Sequence, residues 1–199
     1  MIRHGKIQLP DDQRRYVGQT DLPLSEQGVR QANCLRKYLE PMDIGAVYCS
    51  DLARARQTAE LIAEDQSLAV VACSELREIH LGEWENCSFS DISRRFPAEF
   101  LARGADIGYY RIPGGESFAD CSKRAVAAFH RILESAGGNL AIVAHAGVNR
   151  LLLCHMLGMP IANLFRLTQD YACINLIQYA KTGFQVKFMN QGLPSNSQT

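Results

Sequence analysis

The chain has 199 residues, 47% of them hydrophobic, and 21 lysines and arginines balance 21 aspartates and glutamates. That length and apolar content suit one domain with a substantial core, and zero formal charge argues against nucleic acid or an anionic membrane as partner. No apolar segment reaches the ~20 residues that span a bilayer, and no charged leader precedes an apolar stretch, so a soluble cytoplasmic protein is expected. The seven cysteines are scattered, odd in number and without a Cys-x-x-Cys pair. That pattern favours reduced thiols over a disulfide scaffold or a zinc knuckle.

In chain order, Ile2 opens a short strand that delivers Arg3-His4-Gly5 to a loop. From Ser25, a plausible N-cap, apolar residues at Val29, Ala32, Leu35 and Leu39 recur at helical spacing. Ala46 to Cys49 is a second strand, followed by Ser50, Asp51 and a helix carrying Arg54 with Leu52, Ala55, Ala59 and Ile62 on one stripe. A third strand spans residues 69–73. A loop containing Glu78 and Gly82 follows, then a helical excursion over 89–108 with a weak apolar face of Phe89, Ile92 and Phe96. The turn Pro113-Gly114-Gly115-Glu116 precedes a helix capped by Ser117, with Phe118, Cys121, Ala125, Phe129 and Ile132 on its buried stripe. Residues 140–144 form a strand ending at His145, and 148–157 a helix stopped by Gly158 and Pro160. Strands at 173–179 and 184–188 close the fold. Strand and helix alternation predicts an α/β fold, a three-layer α/β/α sandwich with a mainly parallel central sheet, as a single domain over 1–190 with a mobile polar tail over 191–199.

Open α/β sheets bind ligands beyond the carboxyl ends of their strands, where helix N-termini present free N–H groups. Arg3-His4, Arg54 and His145 all fall at such ends, and Glu78 adds a carboxylate nearby. His4 beside an arginine means little alone. Two guanidiniums flanking one imidazole, with a second histidine and a carboxylate, make a set suited to phosphoryl transfer.

These motifs, from Arg3 to about Phe188, resemble the histidine phosphatase superfamily, also called phosphoglycerate mutase-like. The resemblance implies that His4 carries the phosphoryl group, that Arg3, Arg54 and His145 line a phosphate pocket, and that Glu78 is the proton donor, with Glu83 as runner-up. The loop over 15–25, Gly158-Met159-Pro160 and the segment 169–176 resemble the α-ribazole phosphatase branch. A small phosphate ester such as α-ribazole 5′-phosphate is the expected substrate, with Lys6, Tyr16 and Gln19 as candidate contacts. Each of those three has a plain alternative: a solvated lysine, and loop packing for Tyr16 and Gln19. After Gly5 the chain has Lys6-Ile7 where Glu-Thr is usual. The family pattern places a strand of ~5 residues before the arginine, so residues upstream of Met1, or a longer polypeptide of which this is one domain, are expected. A homodimer is a further expectation.

The chemistry accounts for the residue types. A phosphoryl group in transit spreads charge over three oxygens, which planar, permanently charged guanidiniums match with paired hydrogen bonds. Two such cations also lower the pKa of an adjacent imidazole and keep it nucleophilic. His145, in its protonated form, would add a donor. One carboxyl group can protonate the leaving alkoxide and then deprotonate the incoming water. No metal-site pattern or cofactor motif is present, and the arginines already meet the substrate charge, so a metal-independent enzyme without cofactor is expected. His80, His130 and His155 lack catalytic companions and are expected to be structural. A broad-specificity phosphatase, a phosphoglycerate mutase-like phosphotransferase and a noncatalytic phosphate-binding domain are the alternative functions.

Overall fold

The computed structural model describes residues 1–11, 13–64 and 68–193. Its centre is a six-stranded sheet in the order β3-β2-β4-β1-β5-β6. The strands are β1 (Ile2–Arg3), β2 (Ile44–Cys49), β3 (Val70–Ala72), β4 (Asn139–Ala144), β5 (Ile174–Ala180) and β6 (Gly183–Gln191). β2 pairs in parallel with β3 and β4, and β1 in parallel with β4, while β5 runs antiparallel to both β1 and β6. The sheet is therefore parallel except for β5, as the alternating pattern predicts. β6 reaches Gln191, where the polar tail was expected to begin, and residues beyond 193 lie outside the described residues.

Period-2 alternation sorts the layers. Ala141 and Val143 of β4 join a cluster with α1 (Glu26–Leu39) and α2 (Ala53–Ala63), while Ile142 and Ala144 join another with α5 (Phe118–Ser135) and α6 (Ala146–Leu157). Helices on both faces give the expected three layers. The Ser25 side chain caps α1 by accepting from the Gly28 N–H, and Ser117 and Asp120 form a reciprocal capping box at α5. Such caps satisfy backbone donors that the helix itself leaves open. Val29, expected on the buried stripe of α1, is 40% exposed, because the helix buries Ala32, Leu35 and Leu39 instead. The excursion over 89–108 forms two helices, α3 (Phe89–Arg95) and α4 (Pro97–Ala105), broken where Pro97 begins the second.

Helix α6 starts two residues earlier than its apolar pattern suggests, directly after His145. Ala146 and Gly147 give no periodic signal, and glycine is a poor helix former. A groove of about 780 Å3 lies between β4 and β5, lined by Met1, Leu140, Ile177 and Phe184 among others. It opens at the amino ends of the parallel strands, the opposite end from His4 and His145.

Candidate active site

Adjacent parallel strands bring the two histidines together. The His4 N–H donates to the Ala144 carbonyl, which holds the end of β1 beside the end of β4. The imidazole rings of His4 and His145 then stand 5.1 Å apart between centroids. His4 is 4% exposed and His145 fully buried.

Hydrogen bonds fix the proton on each ring. His4 Nδ1 lies 2.7 Å from the Gly5 carbonyl oxygen, which only accepts, so Nδ1 carries the hydrogen and the Nε2 lone pair is free. Arg54, 1% exposed in the first turn of α2, donates from Nε to His145 Nδ1 at 3.2 Å. A guanidinium has no acceptor, so His145 Nδ1 accepts and its hydrogen sits on Nε2. That Nε2 has no partner among the described residues. Arg54 also donates from Nη1 to the Thr20 carbonyl at 2.8 Å and from Nη2 to the Gly18 carbonyl at 2.6 Å. Its other Nη hydrogens remain to bind an anion.

Arg3 completes the cationic wall. Its Nη1 donates to the Gln169 carbonyl at 2.6 Å, its Cζ lies 3.8 Å over the Tyr171 ring, and its buried Nε has no partner among the described residues. Tyr171 also stands 5.6 Å from the His4 ring. An aromatic face under a guanidinium holds it in plane and leaves its N–H edge available.

Burial, then Arg54, then Arg3, hold the His4 imidazole well below its ordinary pKa of 6.5. Burial and then Arg54 do the same for His145. His145 therefore needs no second proton to act as a donor: the neutral ring donates through Nε2, because Arg54 selects that tautomer. A pH dependence of stability follows. Unfolding restores both histidines to about 6.5, so below that pH the unfolded chain binds more protons than the folded one. The stability held by the neutral pair is complete above pH 6.5 and is lost on acidification, by up to about 1.4 kcal/mol per pH unit for each histidine. The urea midpoint is expected to fall between pH 6.5 and 5, before ordinary carboxylates titrate; a midpoint that rises over this range would contradict the assignment.

Glu78, 9% exposed, reaches the same place from the loop over 77–81. Its Oε2 accepts the Gly147 N–H at 2.9 Å in the first turn of α6. A Cβ at Gly147 would collide with that carboxylate. This accounts for a glycine inside a helix. Arg124 of α5 secures the loop by donating to the carbonyls of Glu75, Arg77 and Glu78.

His4, Arg3, Arg54, His145 and Glu78 thus converge on one site. Lys6 stays outside it, exposed, with Nζ donating to Gln27 Oε1 at 3.0 Å. Tyr16 is buried in the core, stacked 4.0 Å from Phe89 and tilted 5.4 Å from Trp84, so the structure gives it packing and not a place in the pocket. Gln19 braces the site from behind, its Nε2 donating to the Glu78 carbonyl at 3.1 Å. Glu83 is exposed. His130 and His155 meet at 2.9 Å between Nε2 atoms on α5 and α6, and His80 Nδ1 accepts from the Gly82 N–H. The glycines of the 113–116 turn let that segment press against the backbone of residues 80–82. No group of three His, Cys, Asp or Glu residues able to hold a metal ion occurs among the described residues, and no helix there is long and apolar enough to cross a membrane. Tyr171, Gln169, Gly147 and Glu85 are the site residues that sequence reasoning missed.

The family model of the histidine phosphatase superfamily (branch 1) matches residues 1–192, and the chain belongs to that superfamily. It is 30% identical over 191 residues to the adenosylcobalamin/alpha-ribazole phosphatase of Escherichia coli K12, covering 96% of this chain and 94% of that protein. It is 34% identical to "Probable phosphoglycerate mutase GpmB" of Klebsiella pneumoniae, covering 92% and 85%. The crystal structure of the alpha-ribazole phosphatase from Shigella flexneri superposes with a TM-score of 0.87 at 30% identity, over 96% of this chain and 94% of that one. The protein is accordingly a phosphatase of this superfamily.

Proposed function

We propose that the enzyme hydrolyses phosphate monoesters through a phosphohistidine on His4 Nε2, without a metal ion, and that α-ribazole 5′-phosphate is its substrate. The observation that carries the mechanism is the pairing of tautomers: a free lone pair on His4 Nε2 beside an unpartnered Nε2–H on His145, both oriented by hydrogen bonds. One atom is ready to attack phosphorus and the other to bind a phosphate oxygen. Arg3 and Arg54 supply the remaining charge at the equatorial oxygens.

In the first step the His4 Nε2 lone pair forms the P–N bond as the P–O ester bond breaks, and the Glu78 carboxyl protonates the departing alkoxide. In the second, water attacks phosphorus, Glu78 takes its proton, and the P–N bond breaks to release phosphate and neutral His4. The similarity to alpha-ribazole phosphatases at 30% identity supports the substrate assignment. A panel of esters tests it: kcat/KM for α-ribazole 5′-phosphate should exceed that for simple sugar phosphates, and activity should survive a chelator. Isomerisation of 3-phosphoglycerate without net phosphate release would favour the mutase reading instead.

The role of Glu78 has its own test. Glu78→Gln should lower turnover of alkyl phosphates by about 10²- to 10⁴-fold and that of an activated aryl phosphate far less, since a good leaving group needs no proton. Gly147→Ala, which crowds the carboxylate, should give the same asymmetry. Equal losses on both ester types would remove Glu78 from the role.

A further inference from the structure

Behind Arg54 lies a carboxylate that touches neither histidine. Glu85 accepts five hydrogen bonds: Oε1 from the N–H groups of Gln19 at 2.7 Å and Leu81 at 3.0 Å, and Oε2 from the N–H groups of Gly18 at 3.1 Å and Thr20 at 3.2 Å and from the Thr20 hydroxyl at 2.7 Å. Three consecutive backbone N–H groups pointing at one anion bend residues 18–20 into an arc around it. Two carbonyls of the same arc, Gly18 and Thr20, are the ones that receive Arg54. Gly18 fits there only as glycine, because a Cβ would collide with the Ile79 carbonyl and with Glu85 itself. The middle residue, Gln19, turns its side chain to the Glu78 carbonyl.

We propose that Glu85 is a positioning residue for the phosphate pocket, acting through residues 18–20 to fix the Arg54 guanidinium. No carboxylate bonds directly to Arg54 among the described residues. Its orientation therefore depends on two carbonyls and one imidazole nitrogen, and the two carbonyls depend on Glu85. This arrangement keeps the arginine's charge unneutralised at the pocket and yet holds its geometry. A carboxylate bonded to the guanidinium itself would compete with phosphate for the same N–H groups; placed behind the loop, it does not. Glu85 remains ionised there: burial alone would push its carboxyl up, but the donors from Leu81, Gln19 and Thr20 bring it below the usual carboxylate range. The inference rests on the phosphatase reading above, in that Arg54 is taken to bind the substrate phosphate.

The decisive experiment is a double-mutant cycle with Glu85→Gln and Arg54→Lys, reading kcat/KM and orthovanadate affinity. Glutamine keeps one acceptor but turns an NH2 group toward N–H donors, so E85Q should lower kcat/KM by about 100-fold through displacement of the guanidinium. If Glu85 works through Arg54, the double variant should be within about threefold of R54K alone, since the pair acts as one unit. Losses that multiply would overturn the proposal, because a merely structural carboxylate weakens the enzyme independently of Arg54. Thermal unfolding identifies any variant that fails to fold. In that event Thr20→Val, which deletes only one of the five donors, should weaken vanadate binding about threefold, and unchanged binding would overturn the proposal. Wild-type protein that neither hydrolyses esters nor binds vanadate would sink the phosphatase reading itself. Active wild type with multiplicative losses would sink only the role of Glu85.

Discussion

Replacing His4 by alanine is expected to reduce turnover of every phosphate ester by at least about 10⁴-fold, the scale of losing a covalent nucleophile. Cys49, Cys121, Cys154 and Cys173 are buried, and burial pushes their thiols up, Cys49 to about 12. None is poised as a substitute thiolate. Ser50, fully buried in the turn after β2, accepts the Leu52 N–H at 3.3 Å and has no hydrogen bond to either histidine among the described residues. Among the described residues the His4 side chain hydrogen-bonds to the adjacent Gly5 carbonyl alone, so its removal orphans no distant group there. The variant should therefore fold, and phosphate or vanadate should still bind, because Arg3, Arg54 and His145 remain. Steady-state turnover measured beside vanadate affinity checks both halves. Residual activity within tenfold of wild type would mean that the imidazole is not the nucleophile.

Arg54→Ala should be nearly as costly to activity and far more costly to the fold. The guanidinium satisfies three acceptors, the buried Gly18 carbonyl and His145 Nδ1 and the part-buried Thr20 carbonyl. Each acceptor left without a donor costs about 1–3 kcal/mol, partly offset because a cation with no carboxylate partner no longer has to be buried. On the catalytic side, loss of a preorganised cation at the transferring group costs about 10³-fold in kcat/KM. Two secondary effects separate this from simple loss of charge. His145 is released from its tautomer, so its Nε2–H is no longer guaranteed. His4 loses the charge that ranks next after burial in depressing its pKa, so the pH below which activity fails should move upward. Arg54→Lys keeps the charge without the fork, and should sit between alanine and wild type. Activity, unfolding and the pH profile together test this. An alanine variant with an unchanged pH profile and full vanadate affinity would place Arg54 outside the pocket.

Local rules carried the secondary structure well. Ser25 and Ser117 cap the helices they precede, Gly158 ends α6 in a left-handed conformation, and the alternation in β4 divides the two faces of the sheet. Arg3, His4, Arg54, His145 and Glu78 were legible because their residue types at strand ends match one chemistry, and the structure brings all five together. What stayed hidden depends on contacts across the chain. Tyr16 was a candidate substrate contact, but Phe89 and Trp84, some 70 residues away in sequence, enclose its ring in the core. Lys6 follows the histidine closely, yet it belongs to the surface beside α1. Glu85 carries no local sequence signal of its own, and its five donors come from the close approach of residues 18–20 and the Leu81 N–H. Tyr171 becomes a wall of the site because β5 pairs beside β1, a register no local pattern encodes. Gly147 weakened the helix signal at the point where the fold needs room for Glu78.

The most direct measurement is the chemical identity of the phosphorylated residue during turnover. Wild-type enzyme mixed with a phosphate-labelled ester and quenched rapidly without acid should carry label on His4 alone, as an adduct stable to alkali and lost in acid. Glu78→Gln enzyme should form it quickly from an activated ester. Label on a serine or cysteine, or turnover with no covalent label at any time, would contradict the account.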